Sequence, residues 1–339
     1  MIKSGLSIRS WWGMALAVAA GACVLFISPQ AHAASIYLQD SSGRIGYVNT
    51  AGPVGVDQAP QGVFITSGNM ADIAFGTTNR LWGISNENDT AHLYNMPVTV
   101  GAGATDPAAQ TYWNTNYGSP ALAAANSISV TYNGVKDSAI DYNALTFSPG
   151  QSGSGSGILY AATTGANGSG SSSLYRIDTV TGAATLIGSF GTLANGDSII
   201  SSGDLAFKGW SASSPGTLFA NVTVGSGQGA QVARLASINL STGAATLLSS
   251  TFIGANGPFD GLANSATQTG PLFTIDAQYV YSVNQTTGAG TQLFKYTAGI
   301  VTSVRGAAAF GEAIPAPAAL GIFGLSLAGL AMLRRRRAA

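Results

Sequence analysis

The sequence predicts an all-β fold: a β-propeller of five blades, its ring closed by strands from the two chain ends. Three observations carry this reading. A hairpin unit recurs, as LYRIDTVTGAATLIG from Leu174, LASINLSTGAATLLS from Leu235 and VYSVNQTTGAGTQLF from Val280, with a shorter relative at Ile45. Repetition of one supersecondary unit marks a radial or stacked architecture. A small-residue strand also recurs: Asp72-Ile73-Ala74-Phe75 and Asp204-Leu205-Ala206-Phe207, with looser copies at Ala144–Phe147, Asp260–Ala263 and Ala307–Phe310. Finally, 45 glycines and only 8 % charged residues suit short strands joined by turns far better than charge-laced helices.

Residues 1–33 read as a signal peptide. Lys3 and Arg9 give a positive start, Trp11 to Ile27 an apolar run, and Ala31-His32-Ala33 a small-x-small site for signal peptidase. The ectodomain, 34–312, opens with strand signals at Ile36–Gln39 and Ile45–Asn49. Each of the first four small-residue strands is followed by an apolar strand, at Leu81–Ile84, Ile158–Ala162, Thr217–Ala220 and Pro271–Ile275, and then by the hairpin. Four strands per repeat is the content of a propeller blade. The last copy, Arg305–Phe310, holds only the first strand, and the opening segment, Ile36–Val54, only the later ones. Joined, they complete one blade and remove the free edges that template aggregation. The stretch from Val100 to Asn143 is the least regular. It is a long insertion, or it hides a further blade and raises the count to six or seven. In each hairpin Asp178, Asn239 and Asn284 stand four residues before Gly182, Gly243 and Gly288. An Asx side chain there bonds the turn backbone, and glycine supplies the positive φ.

Charge and reactive side chains narrow the function. Ser35 to Ile314 carries 8 Lys/Arg and 14 Asp/Glu, a net charge near −6, so nucleic acid is not an expected partner. Cys23 is the only cysteine and lies in the leader, which leaves the mature chain without disulfides. His92 is the only mature histidine, and Glu87 and Glu312 are the only glutamates. One histidine and no cysteine exclude a zinc motif. A Ser-His-Asp triad would need His92, read here as an exposed strand residue. No phosphate loop or dinucleotide fingerprint is present. Asp137 with Asp141, or Glu87 with Asp89, would make a glycosidase pair only if folding set a sugar between them. No catalytic residue is assigned, and the chain reads as a non-enzyme.

The candidate cofactor is calcium, at one of two places. Asn86-Glu87-Asn88-Asp89 offers four oxygen-bearing side chains in one turn. Asp72, Asp204 and Asp260 start equivalent inner strands and would ring one mouth of a channel. Gluconolactonase-like propellers hold a metal there with a Glu plus Asn and Asp, and no matching glutamate is present. Tyr112, Trp113, Tyr117 and Trp210 are candidate loop aromatics for contact with sugar or protein.

The tail, 313–339, carries the sharpest signal. Pro315 and Pro317 precede an apolar run, Ala318 to Leu333, broken only by Ser326, and Arg334, Arg335, Arg336 and Arg337 follow. As a helix this run spans ~24 Å. That is short of the ~30 Å hydrocarbon core, but a helix of this length crosses with local thinning. The arginines stay cytoplasmic, which leaves the ectodomain outside. This layout resembles the PEP-CTERM sorting signal of exported Gram-negative proteins, over about the last 26 residues, with Ala316 where that motif carries Glu. The resemblance implies a transient helix in the inner membrane, processing by an exosortase-like enzyme near the proline motif, and release or transfer to the cell surface. It also implies company with exopolysaccharide or biofilm material. The expected function is a non-enzymatic surface or matrix protein that binds polysaccharide or protein through rim loops. The alternatives are a secreted calcium-dependent hydrolase or lactonase, and a purely structural envelope protein.

Overall fold

A computed structural model describes residues 35–41, 43–50, 54–58, 60–65, 70–76, 81–87, 90–96, 127–135, 140–148, 157–165, 170–209, 214, 216–225, 232–248, 261–264, 271–296 and 304–310. The segment read as a signal peptide, 1–33, and the tail, with Pro315, Pro317 and Arg334 to Arg337, lie outside the described residues. No helix among the described residues is long and apolar enough to cross a membrane.

The recurring turns form as their sequence requires. Asp178 Oδ1 accepts the amides of Val180 and Thr181, Asn239 Oδ1 those of Ser241 and Thr242, and Asn284 Oδ1 those of Thr286 and Thr287. The next threonine hydroxyl, of Thr181, Thr242 or Thr287, accepts the amide two residues on. Gly182, Gly243 and Gly288 then take φ of 74°, 74° and 68°, the left-handed region that glycine enters without strain.

Among the described residues, twenty-one strands lie in five sheets. Blade 1 orders β21 (Val304–Phe310), β1 (Ser35–Asp40), β2 (Arg44–Asn49) and β3 (Gln61–Ile65). Blade 2 holds β4 (Met70–Phe75), β5 (Leu81–Glu87), β6 (Thr90–Met96) and β7 (Ser127–Ser129). Blade 3 holds β9 (Tyr142–Phe147), β10 (Leu159–Thr163), β11 (Ser173–Ile177) and β12 (Ala183–Ser189), with β8 (Thr131–Tyr132) on its outer edge. Blade 4 is β13 (Ser198–Lys208), β14 (Thr217–Gly225), β15 (Val232–Ile238) and β16 (Ala245–Leu247). Blade 5 is β17 (Gly261–Asn264), β18 (Leu272–Ile275), β19 (Tyr279–Val283) and β20 (Gly290–Lys295).

The ring closes through β21 and β1, antiparallel from Ser35↔Phe310 to Asp40↔Val304. Neighbouring blades are also laced along their outer rims. The backbone crosses from β7 into β8, which pairs in parallel with β12. Gly55 and Gln58 donate to the carbonyls of Leu293 and Lys295 on blade 5, and Ala245 donates to Phe190. The irregular stretch therefore contributes the fourth strand of blade 2 and the rim of blade 3. Its described part is no extra blade; residues 97–126 lie outside the described residues.

Alternation along each strand buries one apolar row on each face, so a separate core fills each blade interface. Ile36, Leu38, Phe273 and Phe294 pack between blades 1 and 5, and Tyr37, Ile73 and Leu81 between blades 1 and 2. Ile84, Leu93, Tyr142 and Leu159 join blades 2 and 3. Tyr160, Phe207 and Leu218 join blades 3 and 4, and Ala206, Leu235 and Leu262 blades 4 and 5.

Candidate functional site

The innermost strands β4, β9, β13, β17 and β21 surround one axis, leaving a void of about 50 Å³ lined by Ala74, Thr146, Ala206, Ala263 and Ala308 among others. The small residues that recur in the sequence are what lets five strands approach this closely. Two aspartates sit on the axis. Asp72 Oδ1 accepts the Ile73 amide and Oδ2 the Leu145 amide. Asp204 Oδ1 accepts Leu205 at 2.6 Å, while Oδ2 accepts Leu262 at 2.7 Å and Ala307 at 3.0 Å. The two carboxyls take one amide from each of the five innermost strands, and they hydrogen-bond each other.

Both side chains are fully buried. Burial drives both carboxyls well above the usual carboxylate range. The neighbouring Asp204 charge lifts Asp72 further, and the amide donors oppose the shift at both. A hydrogen bond between two carboxyls needs a proton on one of them, and burial favours keeping that proton on the pair. Gly306 makes room for it: a Cβ there would lie 2.2 Å from Asp72 Oδ1.

Thus the sequence brings Asp72 and Asp204 together, as its repeat implied, but inside the axis rather than around an open mouth. Every oxygen of the pair already serves the ring. Asp260 and Asp89 lie outside the described residues, as do Tyr112, Trp113, Tyr117 and Trp210, and the Glu87 side chain is not described. Among the described residues no three His, Cys, Asp or Glu side chains converge as metal ligands.

Above the pair, where the innermost strands begin, a cavity of about 590 Å³ opens. Asn86, Asp141, Asn143, Thr164, Ser202 and Arg305 line it. These residues come from strand ends, and several are fixed by backbone bonds. Asn86 spans blades 2 and 3, donating from Nδ2 to the Tyr142 carbonyl and accepting the Tyr142 amide. Asn143 Nδ2 donates to the Ser201 carbonyl of blade 4 at 2.8 Å. The Asn143 Oδ1 and Ser201 Oγ atoms are buried without a hydrogen-bond partner. Asp141 and Arg305 are exposed, so the mouth carries one acid and one base. Apart from Asp141 and Asn86, none of these lining residues was singled out from sequence. The available signal was position: Asn143, Ser202 and Arg305 stand one or two residues before the recurring small-residue strands.

His92 is half-buried on β6, not exposed as the sequence suggested. It faces Ser85 across the β5–β6 ladder, and Ser85 Oγ and His92 Nδ1 are both buried without partners. Ser85 has no exposed surface, so it is no accessible nucleophile. At the other end of β13, burial lowers the Lys208 ammonium to about 8.

No family model matches the chain, and no curated protein matches it. Several solved structures resemble it distantly. Virginiamycin B lyase from Staphylococcus aureus, in an inactive variant with quinupristin, is 9 % identical with a TM-score of 0.33, over 78 % of this chain and 85 % of that one. A candidate 6-phosphogluconolactonase from Bacteroides fragilis is 14 % identical with a TM-score of 0.34, over 81 % and 70 %. The extracellular domain of a candidate hybrid two-component system from B. thetaiotaomicron is 14 % identical with a TM-score of 0.31, over 79 % of this chain but only 28 % of that one. Similarity at this level assigns no activity to the chain.

Proposed function

We propose that the protein is an exported, surface-associated propeller that holds a polysaccharide segment at the channel mouth without transforming it. The mouth cavity carries this reading. Its lining of amides, hydroxyls, one carboxylate and one guanidinium matches the donors and acceptors of a sugar. The buried carboxyl pair below is already saturated by backbone amides, so it supports the ring rather than a bond-breaking step. Export rests on the signal peptide and on the arginine-tipped tail, which fit an exosortase-like route from the inner membrane to the cell surface or matrix. The site thus moves from the rim loops to the mouth. A calcium-dependent hydrolase would need ligands beyond Asp72 and Asp204.

The test is binding of the ectodomain to a panel of oligosaccharides, followed by calorimetry on any hit. Arg305→Ala removes an exposed, charge-assisted donor and is expected to weaken binding about tenfold or more. The melting temperature should stay unchanged, because the side chain is exposed. Equal affinity in Arg305→Ala and Asn143→Ala would place the sugar elsewhere, and no hit in the panel would sink the polysaccharide reading.

A further inference from the structure

The polar groups of the mouth are not equally open to a ligand. Both amide atoms of Asn86 are engaged by the Tyr142 backbone, and Asn143 Nδ2 by the Ser201 carbonyl. The strongest polar groups left on the wall are one ion of each sign. Arg305 is the second residue of β21, in blade 1, and Asp141 stands directly before β9, in blade 3. Both side chains are exposed, and both line the same cavity of about 590 Å³. No other lining residue is charged.

Blade 2 stands between the two ions in the ring. Its share of the wall is Ala71, which has no polar side-chain atom, and the already bonded Asn86. Among the described residues neither the Asp141 carboxylate nor the Arg305 guanidinium has a hydrogen bond or an ion pair, with the other or with a third group. A guanidinium offers a planar fork of donors that a carboxylate fits bidentately, and such a charge-assisted bond is roughly twice as strong as a neutral one. The Asp141 carboxylate repels a second acid but accepts from sugar hydroxyls. Residues 35–314 carry 14 Asp/Glu against 8 Lys/Arg, so a dense array of anions is repelled at long range. An acid is favoured only where it pairs with Arg305.

We infer that the segment held at the mouth is acidic but sparsely so: one uronic-acid residue sets its carboxylate on Arg305, and hydroxyls of an uncharged neighbour donate to Asp141. The assignment rests on the polysaccharide reading of the mouth and names the class of sugar it takes. A neutral glycan forgoes the strongest bond the wall offers. A contiguous polyuronate brings a second carboxylate against Asp141.

The experiment titrates the protein, expressed from the full chain and purified in mild detergent, with oligosaccharides in which uronate and neutral residues alternate. Each is run beside its carboxyl-reduced form and beside a contiguous oligouronate of equal length. In at least one matched pair the acidic member is expected to bind about tenfold or more tighter than the reduced one. Arg305→Ala should erase that difference, and Arg305→Lys should keep part of it. Asp141→Asn should strengthen binding of the contiguous oligouronate several-fold. Melting temperatures should not move in any of the three variants, since both side chains are exposed. Reduced members that bind as tightly as the acidic ones would overturn the acidic assignment and leave the polysaccharide reading intact. A preference for acid that survives Arg305→Ala would overturn the role of Arg305, and unchanged oligouronate affinity in Asp141→Asn that of Asp141. No binding by any member, acidic or neutral, would overturn the polysaccharide reading and the assignment with it.

Discussion

Asp204→Ala is expected to be the most damaging single substitution in the propeller. It strips three buried amides, of Leu205, Leu262 and Ala307, of their acceptor, and these belong to blades 4, 5 and 1. Leaving a buried donor unsatisfied costs ~1–3 kcal/mol. A domain of ordinary stability, ~5–15 kcal/mol, would lose a third or more of it. Chemical denaturation should show the midpoint falling steeply, or the protein should fail to fold. Asn239→Ala, which empties one exposed turn, is the control and should cost only ~1 kcal/mol.

The same pair sets a pH dependence with a definite sign. Folded Asp72 holds its proton to higher pH than the unfolded side chain does, so the folded state binds more protons over that interval. Stability contributed by the protonated carboxyl is complete below the unfolded value, near 4. It is lost as pH rises through the raised folded value. Denaturation midpoints should therefore be higher at mildly acidic than at alkaline pH. Asp72→Asn keeps a neutral group in the same place and should flatten that slope. A wild-type midpoint that instead falls on acidification would contradict the shared proton.

Gly243→Ala is expected to have the second largest effect. Gly243 has φ of 74°, and a Cβ there would lie 2.4 Å from the Gly188 carbonyl oxygen of the neighbouring blade. A non-glycine residue held in the left-handed region costs ~1–2 kcal/mol. Forcing the two blades apart adds ~1–3 kcal/mol. The total is ~2–5 kcal/mol by equilibrium unfolding. Gly55→Ala separates the two contributions. Its φ of 82° is equally unfavourable, but nothing lies within 4 Å of the added carbon, so only the backbone cost should appear.

These two substitutions show what was legible in the sequence. The turn around Gly243 was readable because one residue type at one spacing, Asn239 with Thr242 and Gly243, dictates a local geometry. The contact of that turn with Gly188 was not, because it joins two blades. The repeat also pointed to Asp72 and Asp204, but as mouth residues. Their meeting across the axis depends on how far each blade inclines, which no local pattern encodes. Ring closure could be read because the incomplete repeats at the two ends complement each other. The cavity lining was hidden for the opposite reason. Asn86, Asn143, Thr164 and Arg305 follow no repeat, since a binding surface needs different side chains from each blade. Ser127–Ser129 escaped notice because three residues carry too little alternation to mark a strand.

Ring closure is the claim on which both the axis and the mouth depend, and one cross-link tests it. Residues 34–312 contain no natural cysteine. Ser35→Cys with Phe310→Cys places one thiol on each of two directly paired strand positions. Mild oxidation should close a disulfide between the two ends of the folded domain, read as a mobility shift reversed by reductant, and should raise the denaturation midpoint. If oxidation of the folded monomer gives no intramolecular bridge, the two ends do not share a blade and the ring is not closed as described.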